Sequence, residues 1–94
     1  MYTRTVRITN PAGLHARSAS ELVRRANRFS STITIGKMSD EKKVNAKSIV
    51  MVMSLGAAPG SEIELSAEGA DEREAVDSLA QLLENGPGGS TGVA

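Results

Sequence analysis

His15 is the only histidine in the chain, and it stands in the segment Gly13-Leu14-His15-Ala16-Arg17-Ser18. An imidazole nitrogen titrates near neutral pH and can act as a nucleophile. Arg17, two residues on, carries a permanent charge and donors that suit phosphate oxygens. Gly13 permits close backbone approach. A helix pattern follows directly, and a helix start offers unpaired N–H groups and positive potential to an anion. These residue types at this spacing suit a phosphate at His15, with Arg17 able to contact its oxygens. The plain alternative is a polar surface histidine with a solvated arginine, and position alone does not choose between them. Hydrolysis would need a group to position water. No second histidine and no obvious carboxylate pair near the motif supplies one. Transfer to a partner therefore fits better than a complete enzyme. With no cysteine and one histidine, the chain calls for no metal, no disulfide and no cofactor.

Ser48 is the second candidate. It precedes Ile49-Val50-Met51-Val52-Met53-Ser54-Leu55, which Gly56 closes. The β-branched content suggests a strand. Serine at the start and glycine at the end predict a short helix instead, with Ser48 as its N-cap. So many apolar residues on one short helix cannot all face a core, and an exposed apolar patch on a small protein marks an interface.

These residues need elements to hold them. Tyr2 to Thr9 alternates, with Val6 and Ile8 inward: a half-buried strand. Asn10-Pro11-Ala12-Gly13 reads as a loop. Ala19, Leu22, Val23 and Ala26 recur at helical spacing, Phe29 extends the stripe, and Arg24, Arg25 and Arg28 suit the helix C-terminus. Thr32 to Ile35 is a second strand, Met38 to Glu41 a polar hairpin loop, and Lys42 to Ala46 a third strand centred on Val44. Ile63, Leu65 and Ala67 alternate with outward Glu62, Glu64 and Ser66. Asp71 with Glu74 resembles a capping box. A helix then carries Ala75, Val76, Leu79, Leu82 and Leu83 on one side, until Asn85-Gly86-Pro87 stops it. The predicted class is α+β: an open-faced β-sandwich, with a four-stranded antiparallel sheet and three helices on one face, in the order βαββαβα. Residues 1–85 form the domain, and residues 86–94 are expected to be a flexible Gly-rich tail.

Ninety-four residues suit one domain. No apolar stretch resembles a signal peptide or a membrane-spanning helix, which predicts a cytoplasmic protein without membrane insertion. Ten of the eleven Lys and Arg residues lie at or before Lys47, and eight of the eleven acids follow it. This segregation is consistent with a basic face that docks on an acidic partner. Tyr2 and Phe29 are the only aromatics, so a stacking platform for nucleic acid is missing.

Asn10-Pro11-Ala12-Gly13-Leu14-His15-Ala16-Arg17 resembles the active-site signature of HPr, the histidine-containing phosphocarrier family of the bacterial sugar phosphotransferase system. Val44-Asn45-Ala46-Lys47-Ser48-Ile49 and Met53-Ser54-Leu55-Gly56 resemble its second signature, and the likeness runs over about residues 2 to 84. The resemblance implies that His15 takes phosphate on Nδ1 from phospho-enzyme I, helped by Arg17 and the backbone N–H groups of Ala16 and Arg17, and gives it to sugar-specific enzyme IIA proteins. It implies that Ser48 corresponds to the serine modified by HPr kinase/phosphorylase. It also implies a docking surface around His15, for which Ile49, Val50 and Met53 are the expected contacts, with Arg17, Arg24 and Lys47 at the rim. The plain alternative, a more fully buried helix, stays open for Met51, Val52 and Leu55, and a monomer is expected.

One position departs from the family. Proline usually follows the arginine, and this chain has Ser18. Ser18-Ala19-Ser20-Glu21 is itself a capping-box pattern, which would start the helix later and leave His15 outside it. The intact apolar stripe favours the earlier start. Three other functions compete: a paralogous carrier of a nitrogen or other regulatory branch, a binding protein controlled through Ser48, and a small phosphatase. Retention of both His15 and Arg17 speaks against a solely regulatory role.

Overall fold

The computed structural model describes residues 1–9, 13–14 and 16–85. The order is β1 (Tyr2–Arg7), α1 (Ala16–Ala26), β2 (Thr32–Lys37), β3 (Lys43–Asn45), α2 (Ile49–Ser54), β4 (Glu62–Glu68) and α3 (Glu72–Asn85). The strands form one antiparallel sheet in the order β1-β4-β2-β3. The three helices and four strands follow the βαββαβα order that the periodicities predict. The expected tail, residues 86–94, lies outside the described residues.

Alternation decides which face is covered. Val6 on β1, Ile33 and Ile35 on β2, Val44 on β3, and Ile63, Leu65 and Ala67 on β4 are all buried. Against them lie Ala19, Leu22 and Ala26 of α1, Val52 of α2, and Ala75, Val76, Leu79, Ala80, Leu82 and Leu83 of α3. A fully buried aliphatic side chain contributes about 1.5–3 kcal/mol, so this layer carries the fold.

The other face of the sheet is polar. Thr3, Ser66, Thr34 and Asn45 stand in one row across the four strands. Ser66 points outward as predicted, yet it is buried between its row neighbours, and its hydroxyl pairs with that of Thr3 at 3.0 Å. In the next row Lys43 of β3 reaches across β2 to an ion pair with Glu64 of β4. Gly36 makes that reach possible: a Cβ there would lie 2.6 Å from the Lys42 carbonyl oxygen and 3.0 Å from Lys43 Cγ.

At the other edge, the Tyr2 hydroxyl and Arg4 Nη1 both donate to Asp77 Oδ1 of α3, each at 3.1 Å. Arg73 lies over the Tyr2 ring, 4.9 Å from its centre.

The capping box expected at Asp71 takes a different form. Asp71 does start α3, since its carbonyl accepts the Ala75 N–H at 2.9 Å. Its carboxylate, however, turns away to the loop after α1, where it accepts from the Ser30 and Ser31 amides and the Ser31 hydroxyl. Glu72, not Glu74, reaches back, accepting the Gly69 N–H at 3.1 Å. Three donors on one carboxylate do more than one N3 amide could, so the tertiary contact wins over the local cap. These bonds, the Ser31 hydroxyl first, hold the Asp71 carboxyl below its ordinary pKa.

Candidate functional site

His15 lies outside the described residues, as do Asn10, Pro11 and Ala12. The residues on both sides of His15 are described, and they define the setting. α1 begins at Ala16, so Arg17 and Ser18 lie in its first turn. The later start that the Ser18-x-x-Glu21 pattern allowed does not occur. Ser18 is buried, and its hydroxyl donates backward to the Gly13 carbonyl at 2.9 Å. Arg17 is exposed, free of the core beneath it.

Ahead of His15 the chain is held just as closely. The Leu14 N–H donates to the Ala57 carbonyl at 2.9 Å, and the Leu14 side chain is buried. Gly13 adopts φ 71°, in the left-handed region, and a Cβ on it would stand 2.8 Å from the Ala57 oxygen. Only glycine fits both constraints. The loop following α2 is thus the floor on which Gly13 and Leu14 rest.

α2 begins as predicted. Ser48 is its N-cap in extended conformation, and its Oγ accepts the Met51 N–H at a long 3.4 Å. The Ser48 carbonyl accepts the Val52 N–H at 3.0 Å. Val52 is fully buried and Leu55 nearly so, while Ile49, Val50 and Met53 are exposed, Val50 by 72%. At i, i+1 and i+4 these three share one side of the helix. Met51 is exposed as well, so the fuller burial left open for it does not occur. Six residues make under two turns, which is too short to bury both flanks of α2.

The rim residues differ from one another. Arg24 is exposed, with Glu21 3.5 Å away. Lys47 is half-buried, and its ammonium donates to the Phe29 carbonyl at 2.7 Å, just past the end of α1. Asn27 returns the link by donating to the Lys47 carbonyl at 3.3 Å. These exchanged bonds tie the end of α1 to the start of α2. The sequence carried no sign of them, because Asn27, just past α1, and Lys47, just before α2, lie twenty residues apart. Among the described residues no group of His, Cys, Asp or Glu could hold a metal ion, and no helix is long and apolar enough to cross a membrane.

A family model, the PTS HPr component phosphorylation site, matches residues 2–85. The chain belongs to the HPr family. Phosphocarrier protein HPr of Treponema pallidum (strain Nichols) is 46% identical over 85 residues, covering 90% of this chain and 94% of that one. Among solved structures, HPr of Thermoanaerobacter tengcongensis aligns with a TM-score of 0.83 at 51% identity, covering 88% of this chain and 91% of that one. Crh of Bacillus subtilis, a catabolite-repression protein whose crystal structure is a domain-swapped dimer, aligns with a TM-score of 0.69 at 44% identity, covering 88% and 93%. An HPr is a phosphocarrier of the phosphotransferase system, and that is the role of this chain.

Proposed function

We propose that His15 is the phosphoryl acceptor, taking the group on Nδ1 from phospho-enzyme I and passing it to sugar-specific enzyme IIA proteins. The observation that supports this is the start of α1 at Ala16. It puts the first-turn N–H groups of Ala16 and Arg17, and the exposed Arg17 guanidinium, next in the chain to His15. An anion there meets donors that the helix itself leaves unpaired. The phosphoryl group stays transferable because imidazole leaves readily once protonated or hydrogen-bonded. With no group assigned to position water, the chain acts as a carrier and not as an enzyme in its own right, and it works in the cytoplasm as a monomer.

Ile49, Val50 and Met53 form the docking patch for both partners in this reading, with Arg17, Arg24 and Lys47 around it. Ser48 serves as the regulatory site for an HPr kinase/phosphorylase. Phosphate on Ser48 would sit at the positive end of α2, where its charge is tolerated, and beside the apolar patch, where it opposes docking. Crh's likeness gives a second reading, in which Ser48 regulation is the main task. Transfer from phosphoenolpyruvate through purified enzyme I, followed by intact mass, decides between them. One acid-labile phosphoryl group, absent from His15→Ala, supports the carrier. No gain with the native enzyme I moves the function to Ser48. Light scattering of the same sample checks the monomer against a Crh-like dimer.

A further inference from the structure

The peptide unit between Gly13 and Leu14 is fastened at both poles. Its carbonyl accepts the Ser18 hydroxyl at 2.9 Å, and its N–H donates to the Ala57 carbonyl at 2.9 Å. Gly13, Leu14 and Ser18 are all buried. His15 is the next residue after this unit, and Arg17 immediately precedes Ser18. The Ser18 hydroxyl therefore closes a hydrogen-bonded span of six residues, Gly13 to Ser18, whose sequence contains His15 and Arg17. The proline usual at this place in the family has neither a hydroxyl nor an N–H to offer.

We infer that Ser18 is a positioning residue for phosphoryl transfer: its hydroxyl fixes the Gly13–Leu14 peptide and so the direction from which His15 presents its ring. The inference rests on the reading of His15 as acceptor. Ser18 is buried and offers no surface to a partner, so loss of the hydroxyl acts on the transfer step and not on partner affinity. A buried carbonyl that loses its donor lets the segment shift, and small displacements of a reacting group lower the rate without weakening binding.

The test is steady-state transfer from phospho-enzyme I to the full chain and to Ser18→Ala, Ser18→Pro and Ser18→Thr, with hydrogen exchange of the Leu14 amide measured on each. Ser18→Ala and Ser18→Pro should lower kcat about three- to tenfold at unchanged KM and speed Leu14 exchange. Ser18→Thr, which keeps a hydroxyl, should restore kcat to within about twofold of the parent chain. The inference is overturned if Ser18→Ala transfers at the parent kcat, or if kcat falls alike in Ala and Thr variants. If the parent chain takes no phosphate at all, the acceptor reading fails. Leu14 exchange still judges the fastening: equal exchange in the parent chain and Ser18→Ala overturns it.

Discussion

Asp71 Oδ1 accepts from both the amide and the hydroxyl of Ser31, forty residues earlier in the chain. The Ser30 amide fills Oδ2 at 2.9 Å. One carboxylate thus joins the start of α3 to the loop after α1, and its pKa is held below the ordinary 3.8.

A lowered carboxyl pKa stabilises the fold above the unfolded value and loses that contribution as pH falls through the folded value. Glu72 behaves alike, held down first by the Gly69 N–H. Asp71→Asn is therefore expected to be less stable than the parent chain at pH 7. The gap should begin to narrow as pH falls below the unfolded value near 3.8 and close only below the lowered folded value, where the parent carboxyl takes up its proton. Urea unfolding at pH 7, 5 and 3 checks this, and a gap that stays constant across the series would refute it.

Asp71 also shows where the sequence is legible and where it is not. Ile63, Leu65 and Ala67 announce β4 because a strand repeats every two residues, and burial of one face is a local pattern. Ser48 announces α2 for a similar reason, since a cap lies beside what it caps. The Asp71–Ser31 contact, the Asn27–Lys47 tie and the Leu14–Ala57 bond join distant segments, and nothing in a short window encodes them. Ser18 is the sharpest case. Its local pattern pointed forward to a cap, while its hydroxyl turns back to Gly13, because Leu14 and Ala19, both buried, draw that turn into the core.

Val50 and Val52 are two residues apart and face opposite ways. Val50→Asp should leave stability within about 0.5 kcal/mol and raise the KM for phospho-enzyme I. Val52→Asp buries an unpaired charge and should abolish folding. Thermal melts with transfer assays test the pair, and an unchanged KM in Val50→Asp would remove α2 from the docking surface.

The Ser48 cap bond is long at 3.4 Å, so its loss belongs at the low end of the usual range. Ser48→Ala should cost about 0.5 kcal/mol, read by urea unfolding. Ser48→Asp retains an acceptor and should keep stability while slowing transfer, by placing charge beside Ile49 and Val50. A transfer rate equal to the parent's would count against regulation at this site.

Gly13 and Gly56 both have positive φ, at 71° and 60°, but only at Gly13 would a side chain collide. Gly56→Ala should cost about 1–2 kcal/mol from the left-handed backbone alone. Gly13→Ala adds contact with the Ala57 carbonyl, so it should cost more and also depress transfer. Equal losses in the two melts would mean that the Ala57 contact yields without strain.

The bonds from Lys47 to the Phe29 carbonyl and from Asn27 to the Lys47 carbonyl have a kinetic consequence. They lock the end of α1 to the start of α2 in one stiff pad before any partner arrives. The carrier then has little ordering to do when a partner docks. Association can then run as fast as collision and charge steering allow, because no part of this pad has to order first.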